Sequence, residues 1–242
     1  MPLQETLERQ GHWLFRRRSY LPLILYALGI AGIVHTHQLA YENYLWEFTT
    51  LGVSLLGLVI RIITIGFVPP RTSGRNVKAQ VADTLNTKGI YSICRHPLYL
   101  GNFFMWLGVA MFTRSYWASF LFIVIYWLYY ERIMLAEEGF LREKFGQSFV
   151  EWASKTPAVF PAVWKWESSD RRFSLRKVLR QEHSGLMGTL VSFAILDTIQ
   201  ISLARKSLDF DPVWLYIVLG GLMTFIVIHI LKKGTRLLKD PV

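Results

Sequence analysis

Cysteine is almost missing from this chain: Cys94 is the single thiol in 242 residues. That excludes an intrachain disulfide and a cysteine-based zinc cage. Acid is scarce as well, with 17 Asp and Glu against 27 Lys and Arg, for a net charge of +10. No internal repeat, no low-complexity tract and no Gly-x-Gly-x-x-Gly unit occurs, so the usual dinucleotide-binding fingerprint is absent. A cleavable leader is not expected either. The first apolar run begins near Tyr20, has no small-residue cleavage site after it and is long enough to span a bilayer.

Long hydrophobic runs are present instead. The chain is 52% hydrophobic with a mean hydropathy of +0.29, more apolar than a soluble domain of this length normally is. Its 9 Trp, 11 Tyr and 16 Phe suit aromatic belts at two membrane interfaces. The excess base therefore reads as membrane-flanking loops rather than as a nucleic-acid surface. Stretches of roughly 18–25 mostly apolar residues mark spans. Six are expected: Tyr20 to Val34, Leu45 to Val68, Pro97 to Phe112, Tyr116 to Tyr130, Leu186 to Ala204 and Val213 to Leu231. The helical pattern of the fourth continues beyond the membrane to Phe145. The expected fold is all-α and polytopic.

Charge orients these spans. Arg16–Arg18 precede the first span. Arg71, Arg75, Lys78, Lys88 and Arg95 separate the second from the third, a Lys/Arg-rich stretch covers 131–180, and Lys232, Lys233, Arg236 and Lys239 follow the sixth. The intervening loops carry few cations: His35, His37 and Glu42 in one, Arg114 in the next, Arg205 and Lys206 in the last. The positive-inside rule then puts both termini, the 70–96 loop and 131–180 in the cytoplasm. The cationic run Thr72–Asn76, with Lys78 and Lys88, suits an anionic lipid headgroup or an ordinary cytoplasmic loop. Residues 171–183 mix cations with apolar residues at helical spacing, which fits a helix on an anionic membrane face or a solvated linker helix.

Two clusters of polar residues stand against this apolar background. Arg95-His96-Pro97-Leu98-Tyr99-Leu100-Gly101-Asn102 opens the third span, and Glu137-Glu138 begins a run through Phe145-Gly146 about forty residues on. Both fall on the same side of the membrane, where tightly packed charge is costly and points to function. With Met134 at zero and about 100° per residue, Glu138 lies near 40°, Leu141 near −20° and Phe145 near 20°. Glu138 is thus inside the apolar stripe and Glu137 at its edge, near about −60°. A carboxylate buried there needs a partner: either a protein cation such as Arg95, Arg142 or Lys144, or a ligand with hydroxyl, amine or cationic groups. Pro97 suits a span start, where its missing N–H costs little. Gly101 admits a close neighbour, and Tyr99 offers an aromatic face with a polar tip.

The two clusters together resemble the signature of the integral-membrane methyltransferases typified by isoprenylcysteine carboxyl methyltransferase and the phospholipid N-methyltransferases. The carrying residues are Arg95-His96-Pro97-x-Tyr99-x-Gly101, then Glu137-Glu138-x-x-Leu141-x-x-x-Phe145-Gly146-x-x-Phe149-x-x-Trp152, then Pro157 and Phe160-Pro161. Residues 88–161 are covered, and the rest matches only as hydrophobic spans. The resemblance implies S-adenosylmethionine (SAM) as methyl donor, bound in a cytoplasm-facing pocket without a Rossmann domain. His96, Pro97, Tyr99, Gly101, Asn102, Glu137 and Glu138 would hold the cofactor. Arg95, Arg132 and Glu138 would carry catalysis, with a lipid or lipid-linked substrate, its acceptor a carboxylate, a phosphate or an amine, entering sideways from the bilayer and no nucleic acid involved. One departure stands out. The family places an Arg four residues before the Glu pair, where this chain has Ile133. Arg132 lies near about 160°, almost opposite Glu138 on a regular helix.

The chain divides on this reading into 1–87, with N-terminal spans and a loop; 88–161, the motif core; and 162–242, an amphipathic segment with two appended spans. Two rival functions remain open at this point. One is an NADPH-dependent membrane reductase of the sterol-reductase type; the other is a non-enzymatic lipid-binding scaffold. His35 and His37, two apart in an outer loop, make a poor metal site, and no metal is expected. Asp197, an acid within a span, is a functional candidate by default and otherwise a hydrogen bond to a neighbouring span. Arg61 either snorkels to the interface or faces the pocket to hold a phosphate.

Overall fold

The computed structural model describes residues 2–18, 20–36, 43–69, 80, 82–235 and 238. The cationic run 72–76, Pro70, Arg71, Lys78, His37, Glu42, Arg236 and Lys239 lie outside the described residues. Among the described residues eight α-helices follow in order: α1 Leu3–Arg17, α2 Leu21–Thr36, α3 Tyr44–Phe67, α4 Pro97–Phe112, α5 Tyr116–Phe145, α6 Gln147–Lys155, α7 Leu175–Arg205 and α8 Pro212–Gly234. No strand occurs among the described residues; one isolated bridge pairs Gly89 with Glu167.

Four of these helices, α3, α5, α7 and α8, are long and apolar enough to cross a membrane. The protein is an integral membrane protein. The other two expected spans, α2 and α4, have 16 residues each, about 24 Å at 1.5 Å per residue. They are apolar but shorter than a bilayer core requires.

Helix ends are written into the sequence. Asn43 caps α3 by accepting from the Trp46 amide at 3.1 Å. Asp211 caps α8 by accepting from the Val213 amide, and Pro212 follows at the first helical position, where no partner is needed for its nitrogen. Gly146 ends α5 at φ 55°, a conformation that costs a glycine nothing. The chain thereby turns into α6 at the Phe-Gly of the motif.

Small residues set the packing. An ideal Cβ on Gly57 would lie 2.4 Å from the Gly101 carbonyl, and one on Gly108 would lie 2.3 Å from the Thr50 carbonyl. The Ser54 hydroxyl donates to the Met105 carbonyl at 2.7 Å. α3 and α4 therefore touch backbone to backbone, the close approach that small residues allow between helices in lipid. Apolar burial adds two cores. One gathers Phe15, Tyr99, Phe122, Tyr126, Tyr130 and Ile133; the other gathers Val109, Phe112, Phe193, Leu196 and Trp214.

Two elements depart from the expected pattern. Residues 175–183 are not a separate surface helix but the first turns of α7, continuous to Arg205. Specific contacts hold them to α3: the Ser174 amide donates to the Gly66 carbonyl at 2.9 Å. The Lys177 ammonium, buried, donates to the Val68 carbonyl at 2.6 Å and the Pro69 carbonyl at 3.1 Å. A cation there answers the free carbonyls at the C-terminal end of α3. The second departure is α1, which lies along α5 with Gly11 against the Arg132 carbonyl and Phe15 in the first core.

Candidate active site

The start of α4 and the far half of α5 build the site. Pro97 opens α4, and the two residues before it are fixed by the chain that returns after α6. The Arg95 amide donates to the Pro157 carbonyl at 2.9 Å, and the His96 amide donates to the Ala158 carbonyl at 3.1 Å. The Trp152 indole donates to the Tyr91 carbonyl at 3.0 Å, and Phe149 is buried against that indole. The aromatic end of the motif thus clamps the turn that delivers His96.

The imidazole of His96 sits between both carboxylates. Its Nε2 is 2.9 Å from Glu138 Oε1 and its Nδ1 is 3.7 Å from Glu137 Oε2. Tyr99 donates its hydroxyl to Glu137 Oε2 at 2.8 Å and lays its ring on His96, with centroids 5.7 Å apart. Below it Tyr130 lies 4.9 Å from Tyr99 and 4.3 Å from Tyr126, whose hydroxyl donates to the Tyr99 carbonyl. Glu138 is the deeper of the pair, its side chain 18% exposed against 34% for Glu137, as the helical phase predicts. Burial and the nearby Glu137 charge push the Tyr91 hydroxyl above its ordinary value, which sets Tyr91 beside this cluster as well.

Arg95 is only half satisfied. Its Nε lies 3.4 Å from Glu138 Oε1, yet the angle makes no hydrogen bond and the atom is buried. A buried guanidinium N–H without an aligned acceptor is costly.

Arg132, expected beside these groups, stands apart. Its Nε donates to Gln10 of α1 at 2.9 Å and its Nη1 to the Leu128 carbonyl, on the side of α5 that α1 covers. Gly101 and Asn102 meet α3 rather than the carboxylates, and Asn102 also bonds the Tyr130 side chain. A Cβ on Gly101 would meet Arg61 Cγ at 2.6 Å, and Asn102 Oδ1 accepts from Arg61 Nη1 at 2.6 Å.

Arg61 leads to a partner that the chain order hides. Its Nε and Nη2 donate to the two oxygens of Glu182 on α7, both at 2.7 Å. The pair is bidentate and buried, the strongest geometry available to Arg and a carboxylate. Arg61 neither snorkels nor stands open; it clips the appended helices to the helix behind the motif. No local signal in the sequence links residues 61 and 182. The tyrosine stack was partly legible, because Tyr126 and Tyr130 stand four apart on one helix face.

At the opposite end of the bundle Glu47, Asp197 and Asp211 bring carboxylate oxygens within 4.8 Å of one another, all buried. Glu47 accepts from the Trp214 indole at 3.0 Å and from Arg114 Nη2 at 3.5 Å, and Asp211 is spent on its helix cap.

Residues 48–148 match the phospholipid methyltransferase family. A cobalt-zinc-cadmium resistance protein of Cupriavidus metallidurans is 30% identical over 152 residues, 61% of this chain and 70% of that protein. A nickel-cobalt-cadmium resistance protein of Alcaligenes xylosoxydans xylosoxydans is 29% identical over 49% of this chain and 55% of its own length. A protein-S-isoprenylcysteine O-methyltransferase of Schizosaccharomyces pombe is 35% identical over 80 residues, 33% of this chain and 34% of the enzyme. The chain therefore spans between a third and seven tenths of these relatives. No solved structure matches it.

Proposed function

The chain belongs to the phospholipid methyltransferase family of membrane methyltransferases, and from that premise we propose that it moves a methyl group from SAM to an anionic oxygen of a lipid. The observation that carries this reading is the convergence of Glu137, Glu138, His96, Tyr99 and Arg95 at the end of apolar helices.

The donor set suits SAM. Glu137 is the more open carboxylate and spends one oxygen on Tyr99; its other oxygen is free to accept from a ribose hydroxyl or an ammonium. SAM, when bound, supplies an electrophilic methyl group. The protein's own part is to hold the two reactants in line, about 3–3.5 Å apart. His96 keeps the two carboxylates in place, and Tyr99 fixes the edge of Glu137. The unaligned Nε of Arg95 orients the acceptor anion, a task well suited to a guanidinium. A carboxylate or phosphate oxygen is already anionic, so no general base is required.

The lipid acceptor enters from the bilayer beside α4 and α5, and the site faces the cytoplasm. The cations Arg16–Arg18, Lys88, Arg95, Lys232 and Lys233 lie at the motif end of the helices, which supports that orientation through the positive-inside rule. Calorimetry with SAM and S-adenosylhomocysteine on the folded protein tests the cofactor. Lipid mass spectrometry of the host with and without the gene tests the acceptor: a species heavier by one methylene on a carboxylate or phosphate is expected. Methylation confined to lipid amines overturns the anionic acceptor, and no binding of either nucleoside overturns the activity.

A further inference from the structure

The segment from Pro157 to Arg176 is a strap that runs from the start of α4 to the end of α3, and both its ends are tied to helix termini. At one end the carbonyls of Pro157 and Ala158 accept from Arg95 and His96, and the Ala162 amide donates to the Ile93 carbonyl at 3.0 Å, just before α4 begins. At the other end Ser174 bonds Gly66, and the Phe173 ring fills the space where Gly66 has no side chain, at the last turn of α3. A strap pinned to the first turn of one span and the last turn of another runs at the height of the lipid headgroups.

Its outward residues are of two kinds. Phe160 is 84% exposed and Trp164 81%, with Val163, Trp166 and Leu175 also open. Lys165, Arg171, Arg172 and Arg176 are exposed beside them and outnumber Glu167 and Asp170, and Asp170 is taken by Lys88 at 2.6 Å. Such a set is unfavourable in water, but aromatic rings with cations are the composition of an anionic bilayer interface.

We propose that the strap 157–176 is seated in the anionic headgroup layer of the protein's own membrane, with Phe160 and Trp164 embedded and the cations on lipid phosphates. The seating holds whether or not the methyl-transfer reading does, because it rests on the strap's height and exposed side chains alone.

A nitroxide at Trp164→Cys measures it directly. The substitution is on an exposed side chain, and the native Cys94 is fully buried with its thiol pushed up to about 11 by burial, so it resists labelling. Reference labels go at Met223→Cys on the exposed face of α8 and at Glu143→Cys on the exposed end of α5. The labelled protein is placed in nanodiscs of phosphatidylcholine with phosphatidylglycerol. Collision rates are read with dissolved oxygen and with a water-soluble nickel chelate. The expected result is that position 164 resembles 223, open to oxygen and shielded from nickel, and that nickel access rises at least twofold in pure phosphatidylcholine. Nickel access equal to that at 143 overturns the proposal, as does shielding from both reagents, which would mean a protein partner. Insensitivity to phosphatidylglycerol overturns the anionic part. A second label at Phe160→Cys must agree.

Discussion

The bundle carries carboxylates at both ends, and the two groups differ in what surrounds them. At the motif end Glu137 is partly open, Glu138 shares an imidazole, and Arg95 holds an N–H with no aligned acceptor. At the far end Glu47, Asp197 and Asp211 are closer packed and more deeply buried, and Trp214, Arg114 and a helix cap already engage two of them. Crowded acid alone does not make a functional site. What marks the motif end is capacity within reach: Glu137 is the more open carboxylate, and Arg95 holds a donor without an aligned acceptor. At the far end Glu47 and Asp211 are engaged by Trp214, Arg114 and the α8 cap.

Substitutions sharpen this contrast. The largest effect is expected behind the motif, at the Arg61–Glu182 clip. Glu182→Leu strands a buried guanidinium and lowers stability by about 3–5 kcal/mol, whereas adding Arg61→Met recovers most of the loss. Thermal melts of both single variants and the double variant check this; additive losses would mean that the two side chains act separately. Next in size come the paired glutamates. Glu137→Gln weakens SAM binding by about 10- to 100-fold, the loss of about 1.5–3 kcal/mol of charge-assisted hydrogen bonding, while the ligand-free melting temperature stays put. Glu138→Gln lowers the melting temperature as well, because its partners are His96 and Arg95. If the two variants exchange these behaviours, the contrast between an open and a paired carboxylate is wrong.

At the far end Glu47→Ala leaves the Trp214 indole N–H buried without its acceptor and costs about 1–3 kcal/mol of stability, with SAM affinity unchanged in the folded fraction. A change in affinity would tie the two ends together. The smallest effect belongs to Arg132→Ala. It releases Gln10 on an exposed flank, so stability shifts by less than about 1 kcal/mol and turnover stays within twofold. A collapse of turnover would restore Arg132 to the reaction and show that α1 moves away when substrate binds.

The spans were legible because lipid enforces long apolar runs. α3, α4, α5 and α8 begin and end within a residue or a few of the expected limits. The geometry joining His96 to the Glu pair was legible for a related reason: a helix of known pitch sets Glu138 inside the stripe and Glu137 at its edge. Contacts between distant segments were not. Glu182 falls in a stretch whose spacing suits a membrane-face or linker helix, and nothing local points to a partner 121 positions earlier. α1 stands out in the sequence only by its cations, although Leu3, Leu7, Gly11 and Phe15 recur at helical spacing. That stripe is short and contains a glycine, and its meaning depends on Arg132 presenting a bare carbonyl to Gly11. The neighbours of Gly101 in the motif assign it to the cofactor, as the resemblance implies. The structure gives its missing side chain to Arg61 and the backbone of α3, a close approach that no local pattern reveals.

One consequence concerns force. Only 6% of the most apolar stretch of α8 is buried, and Tyr216, Met223 and Ile230 look outward. Its firm hold is Trp214, fully enclosed among Phe112, Phe193 and Glu47 at the end farthest from the C-terminus. A pull on the C-terminus therefore draws α8 out of lipid turn by turn, past contacts with α7 such as Lys232 on the Arg180 carbonyl and Phe225 beside His183, until it reaches Trp214, where the load rises further. The indole is the latch of the last hairpin, and a single-molecule extension trace should show one late peak there, absent in Trp214→Ala.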